Sequence, residues 1–167
     1  MVSFLLLMGH SWEDLARRSR KSKSMSNKPP ADQVTEQGGD LYRTLVEGDP
    51  FPKALGVAVT RLAPGYAEAT LRVREEMLNF AGVTHGGVIF ALADTVFGLA
   101  SNAYGATALA IHADIDFLRA TTAGAVLTAR AVEESRGGRL THYRVTVEDD
   151  EGRLIALFRG IAYIKKG

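Results

Sequence analysis

The run Val88-Ile-Phe-Ala-Leu-Ala-Asp94-Thr-Val-Phe-Gly-Leu-Ala100 has apolar residues on every helical face and one carboxylate in its middle. A helix with that pattern has to be wrapped by other structure, which constrains the fold more than any other feature of the chain. An ionised carboxylate in such a helix costs free energy unless it is paired, and the segment supplies no Lys, Arg or His beside Asp94. Asp94 is therefore a candidate working residue. The alternative is an Asp that emerges on a solvated strip or bonds to a neighbouring Thr or Asn.

The wrapping has to come from strands. Leu41 and Leu45, four apart between Asp40 and Gly48, predict a short amphipathic helix closed by Asp49-Pro50. Strand-like runs follow over Leu55 to Leu62 and Ala67 to Arg74, separated by Pro64-Gly65. In the second, Ala67, Ala69, Leu71 and Val73 alternate with Glu68, Thr70, Arg72 and Arg74, the period of a sheet with one wetted face. After Gly86-Gly87 the long helix runs to Tyr104-Gly105, where Gly can take a left-handed cap. Four more strands are expected over Thr107 to Phe117, Ala125 to Glu133, Leu140 to Glu148 and Leu154 to Ile164. The intervening turns, Thr121 to Gly124, Arg136-Gly137-Gly138 and Asp149 to Gly152, are short enough for antiparallel neighbours. One apolar helix with about five to six antiparallel strands gives an α+β fold in which the sheet curls around the helix.

At 167 residues, 46% of them hydrophobic and 23% charged, the chain reads as one domain over residues 41–167 behind a polar tail over residues 1–40. The first thirty residues hold six basic side chains (Arg17, Arg18, Arg20, Lys21, Lys23 and Lys28) against two acidic ones (Glu13 and Asp14), so the tail is basic and the domain slightly acidic. A nucleic-acid surface would need its basic residues on the folded part, so the expected reading is a solvated, disordered tail and no nucleic-acid partner. Val2 to Met8 is apolar but precedes its basic residues, a poor signal peptide and too short to span a membrane. Met25 reads like a natural start, which makes residues 1–24 a candidate extension outside the fold. The absence of cysteine excludes disulfides, thiolate metal sites and a cysteine nucleophile, and is compatible with a cytoplasmic location. Histidines at 10, 85, 112 and 142 lack ligand spacing, so no metal is expected.

The order of elements, with Asn79-Phe-Ala-Gly-Val-Thr-His-Gly-Gly87 leading into Ala91-Leu-Ala-Asp-Thr95, resembles the hotdog-fold acyl-CoA thioesterases. More narrowly it is similar to their PaaI-type branch, associated with phenylacetic acid degradation. Gly98-Leu-Ala-Ser-Asn102 and Ile155-Ala-Leu-Phe-Arg-Gly160 carry the same resemblance, which covers roughly Phe51 to Lys165. It implies hydrolysis of acyl-CoA thioesters, of aryl or phenylacetyl type, with coenzyme A as part of the substrate and no separate cofactor. It further implies that Gly86 supplies a backbone donor, that Asp94 is general base or nucleophile, and that Asn79 helps orient the nucleophile or water. His85 is a candidate for direct catalysis or, preferentially, for supporting the turn.

The residues support that chemistry on their own terms. Glycines at 86 and 87 allow close backbone approach and open a helix whose first N–H groups lack intrahelical partners. Such donors suit a carbonyl oxygen gaining negative charge. Eight residues along one helix separate Gly86 from Asp94 by about 12 Å, whereas attack requires an approach of roughly 3–3.5 Å. Two copies related by a two-fold axis can meet that requirement, so a homodimer, or a homotetramer built from it, is expected. Thr95 and Ser101 are candidate water-positioning hydroxyls, with helix packing as the preferred reading. A supporting Ser or Thr common in the family after the helix is replaced by Ala110, which shifts attention to His112 or Thr107. Arg119, Arg139 and the adjacent Gly138 are candidates for the CoA phosphates, each also readable as ordinary surface. Phe90, one turn before Asp94, is a candidate wall for an aryl-acyl pocket. Alternatives are a non-catalytic acyl-CoA-binding module, against which Asp94 argues, and a hydratase or dehydratase, which would pair a catalytic His with a carboxylate.

Overall fold

The computed structural model describes residues 39–165, so the expectations for the N-terminal tail and for Met25 lie outside the described residues. Helix α1 (Asp40–Tyr42) continues directly into a π-helical turn, Arg43–Glu47. Helix α2 (Pro50–Leu55) follows, then strands β1 (Ala58–Ala63) and β2 (Tyr66–Arg72), the central helix α3 (Gly86–Asn102), and strands β3 (Ala108–Phe117), β4 (Val126–Arg136), β5 (Leu140–Glu148) and β6 (Leu154–Ile164). The expected α+β hotdog architecture is present: α3 lies against one curved sheet of six antiparallel strands in the order β1-β2-β4-β5-β6-β3. Register shifts at Val59/Arg61, Ala110/His112 and Glu133/Ser135 bend three of the strands, the local device by which a sheet increases its twist and wraps.

Two local expectations are corrected. Asp49-Pro50 does not close a helix but opens one: the Asp49 carboxylate accepts the Phe51 N–H at 3.2 Å, Pro50 sits where its missing N–H costs nothing, and Gly56 at φ 80° ends the helix in the left-handed region. Leu55 therefore belongs to α2, and β1 begins at Ala58 rather than at Leu55. Strands β3 and β4 are not neighbours either. Residues 118–125 cross the end of the sheet, taking β3 to the far edge beside β6 and β4 to the side of β2. The crossover is pinned by backbone bonds from Leu118 N–H to the Ile155 carbonyl (2.8 Å), Thr84 N–H to the Thr121 carbonyl (2.8 Å) and Gly124 N–H to the Val73 carbonyl (2.9 Å).

The core lies between α3 and the concave face of the sheet. Ile89, Leu92, Ala93, Val96, Phe97 and Ala100 meet Ala67, Ala69 and Leu71 of β2, Leu127, Ala129 and Ala131 of β4, Val145 and Val147 of β5, and Phe158 of β6. At Gly160 a Cβ would stand 2.8 Å from the buried Phe97 ring, so the strand approaches the helix more closely than any side chain permits. Asn102 ties the end of α3 to the start of β3, accepting the Ala108 N–H and donating to the Ala108 and Gly98 carbonyls, each at 2.9 Å. No helix among the described residues is long and apolar enough to cross a membrane.

Candidate functional site

The expectation that α3 is buried on every side holds for three faces only. Gly87, Ala91, Asp94, Thr95, Gly98 and Asn102 form a strip of small and polar residues that the sheet leaves uncovered. By composition this strip looks apolar, because Gly and Ala count as core residues. In space it is a furrow. The α1–α2 segment lies along it, and a cleft lined by Leu45, Phe51, Pro52, Asp94, Thr95 and Gly98 separates the two.

Asp94 stands half-buried in this cleft. Among the described residues no Lys, Arg or His forms an ion pair with it. Burial alone therefore acts on it, disfavouring the charged form and raising its pKa above that of an ordinary exposed Asp. A carboxyl with a raised pKa accepts a proton more readily than an exposed one, the property a general base near neutrality needs. Thr95, the next residue, lines the cleft and donates its hydroxyl to the Ala91 carbonyl at 2.7 Å. Ser101 is buried and donates to the Gly98 carbonyl at 3.0 Å, a helix-packing arrangement.

The other end of α3 is built by a loop that holds its own shape. Asn79 accepts the Ala81 N–H at 2.9 Å through Oδ1, and its backbone N–H donates to the Val83 carbonyl at 2.8 Å. These contacts use the amide oxygen and leave its NH2 group available. Thr84 and Thr121 share a buried hydroxyl pair at 2.8 Å, and the His85 N–H donates to the Met77 carbonyl at 2.8 Å. His85 then caps α3: its Nδ1 accepts the Gly87 N–H at 2.9 Å. With Gly87 satisfied by the cap, the Gly86 N–H has no acceptor among the described residues. It is an orphan donor at the positive end of a seventeen-residue helix, the arrangement that suits a developing oxyanion. Gly86 also lies against the Phe117 ring, which a Cβ there would approach to 3.1 Å.

The remaining candidates are dispersed. Phe90 is half-buried and meets Phe158 edge-on, with ring centroids 5.4 Å apart. His112 stands on the outer face of β3, its Nε2 3.5 Å from Asp114, which also receives Arg159. Arg119 donates to the Leu154 carbonyl at 2.7 Å, near the end of β3 that holds Phe117 and Gly86. Arg139 donates to the Tyr163 hydroxyl at 3.0 Å at the other end, where its carbonyl accepts the Ile164 N–H. Ten residues of β3, about 33 Å, separate the two arginines. Sequence reasoning missed the α1–α2 wall of the cleft; the Asp49-Pro50 cap and Gly56 were the signals that could have revealed it.

A family model described as the thioesterase superfamily matches residues 81–156, the span from the Asn79 loop through α3 to β6. The acyl-coenzyme A thioesterase PaaI of Escherichia coli (strain K12) is 39% identical over 116 residues, covering 70% of this chain and 83% of that protein. The structure of E. coli PaaI, from the phenylacetic acid degradation operon, superposes with a TM-score of 0.73 at 37% identity, covering 75% of this chain and 91% of that one. A mutant of the phenylacetic acid degradation protein PaaI from Thermus thermophilus gives a TM-score of 0.67 at 45% identity, covering 69% of this chain and 98% of that one. The chain belongs to the hotdog-fold thioesterase superfamily, in its PaaI-type branch. That branch is one of acyl-CoA thioesterases.

Proposed function

We propose that this protein hydrolyses acyl-CoA thioesters to the free acid and CoA, with aryl-acyl groups of phenylacetyl type among its substrates. The observation that carries the reading is the Asp94 carboxylate, half-buried, without an ionic partner among the described residues, on a helix face that opens into a cleft. Asp94 either takes a proton from the attacking water or attacks the thioester carbonyl itself. The Gly86 N–H polarises that carbonyl, and the Asn79 amide, whose NH2 group has no partner among the described residues, orients the attacking group. His85 sets the turn through its bond to Gly87.

The site requires two copies of the chain, because one straight helix holds Gly86 and Asp94 about 12 Å apart. The exposed edge of the sheet is where the second copy docks. β3 is an edge strand carrying Leu109 at 60%, Ile111 at 59% and Phe117 at 53% exposure, a long apolar edge of the kind that monomeric proteins avoid. Phe80, in the loop that carries Asn79, is fully exposed and gains cover from the same neighbour. Antiparallel pairing of β3 with its copy sets the Gly86 end of one subunit beside the opposite end of the other. It thereby offsets the two helices so that Gly86 of one subunit faces Asp94 of the other. The same offset brings Arg119 of one subunit and Arg139 of the other to a common end, where the two cationic groups suit the CoA phosphates.

A thiol-release assay over a panel of acetyl-, hexanoyl-, octanoyl-, benzoyl- and phenylacetyl-CoA tests the reading. Release of free CoA well above the uncatalysed rate is expected for at least one aryl-acyl member. A protein that binds these compounds and releases no thiol from any of them is a binding module instead.

A further inference from the structure

Beyond the cleft, on the far side of Thr95 and Leu99, lies a second cavity of about 330 Å³. Its walls are Tyr42, Leu45 and Val46 of the α1 segment, Pro52 of α2, and Val57 and Val59 leading into and along β1. Leu45, Asp49, Pro52, Thr95 and Leu99 line both spaces, so the cavity adjoins the cleft that holds Asp94. Resting on the thioesterase reading, we propose that this cavity receives the acyl group of the substrate, an apolar group of about phenylacetyl or octanoyl size, and that Leu45, Val57 and Val59 set its length.

Three observations carry the assignment. The first is position. A thioester carbonyl held at Asp94 leaves its acyl carbon chain beside Thr95 and within about one and a half helical turns of Leu99, the two residues that form the doorway. Gly98 keeps that passage clear, since a Cβ there would have no atom within 4 Å. The second is size. A cavity of roughly 150 Å³ suffices for benzene, so the space here accommodates a ring with its methylene or a chain of about eight carbons. The third is charge. The charged groups around the cavity are Glu47, Asp49 and Lys53, and Lys53 donates to the Glu47 carbonyl. Two carboxylates against one ammonium disfavour the nucleotide phosphates, so the apolar end of the substrate is the one that fits.

The walls of the cavity explain the sequence of the α1–α2 segment. Gly48 is required where the chain turns back, because a Cβ there would stand 2.5 Å from the Thr44 carbonyl oxygen. The π-helical turn and this glycine together swing Leu45 and Val46 over α3 rather than into solvent.

The test uses two variants and two readouts. Val59→Phe fills the cavity and Leu45→Ala widens it. Each buried methylene is worth about a fourfold change in binding. The ratio of kcat/KM for octanoyl-CoA to that for acetyl-CoA should therefore fall at least tenfold in Val59→Phe, and the preferred chain length should increase in Leu45→Ala. Binding is measured separately with S-octyl-CoA, a thioether that cannot be hydrolysed. The wild-type chain should hold it at least tenfold more tightly than CoA, and Val59→Phe should reduce that preference below threefold. Unchanged ratios in variants that still hydrolyse acetyl-CoA overturn the cavity assignment and leave the thioesterase reading standing. Tight S-octyl-CoA binding that Val59→Phe abolishes, in a protein that hydrolyses nothing, supports the cavity and removes the thioesterase.

Discussion

Replacing Asp94 with Asn should abolish most of the hydrolysis while making the protein more stable at neutral pH. Both effects follow from one environment. Asp94 receives no ion pair among the described residues, and burial raises its pKa, so the folded chain holds its proton more tightly than the unfolded chain does. Stability from this group is then fully present below the unfolded value, declines as pH rises toward the folded pKa, and is at its lowest at neutral pH. Asn keeps the shape, carries no charge, and removes that penalty. Its melting temperature should exceed that of the wild type at pH 7, and the difference should shrink as pH falls through about 3.8, below which Asp94 becomes protonated in both states. Catalysis moves in the opposite direction. Loss of a general base costs about a hundred- to ten-thousandfold in rate, equivalent to about 2.7–5.4 kcal/mol of transition-state stabilisation. Thiol release and thermal melts on the same preparations, across pH 3 to 8, measure the two effects together. Turnover within tenfold of wild type refutes the catalytic assignment. A melting temperature lowered at pH 7 refutes the description of Asp94 as an unpaired, half-buried carboxylate.

Gly160→Ala should destabilise the fold by about 1–3 kcal/mol through overpacking, because its Cβ would stand 2.8 Å from a Phe97 ring that is itself buried; denaturant melts read the loss, and a neutral result would show that β6 can withdraw from α3. The double substitution Leu109→Lys with Ile111→Lys alters two side chains already exposed in the single chain. It should leave secondary structure intact, convert the protein to a monomer in sedimentation, and remove activity with the dimer. An active monomer would be incompatible with a shared site.

The elements that alternate or repeat were the readable ones. β5 and β6 fall over Leu140–Glu148 and Leu154–Ile164, the spans their alternation predicts, and α3 begins at Gly86 as its glycines indicate. Strand order was not readable, because a short Thr121 to Gly124 turn is equally compatible with a hairpin and with a crossover. Only the bonds to Val73, Thr84 and Ile155, distant in sequence, distinguish them. The furrow on α3 was hidden for a different reason: Gly87, Ala91 and Gly98 are small enough to count as apolar and small enough to leave space. Asp94 was legible because a carboxylate is out of place in an apolar helix, and Gly86 because paired glycines open that helix, whereas Asn79 was singled out by the family resemblance. The cleft opposite Asp94 was not legible, since it depends on reading Asp49-Pro50 as the start of a helix.

In the proposed dimer each site takes Gly86 and Asn79 from one subunit and Asp94 from the other. This arrangement is tested most directly by mixing two inactive chains, Asp94→Asn and Gly86→Val, the latter blocking approach to the Gly86 N–H. In a hybrid dimer one site then carries both lesions and the other carries none. Activity absent from either parent should return in the purified hybrid at about half the wild-type value per dimer. Hybrids that form, shown by mass spectrometry, yet remain as inactive as their parents would contradict it and place the whole site within one chain.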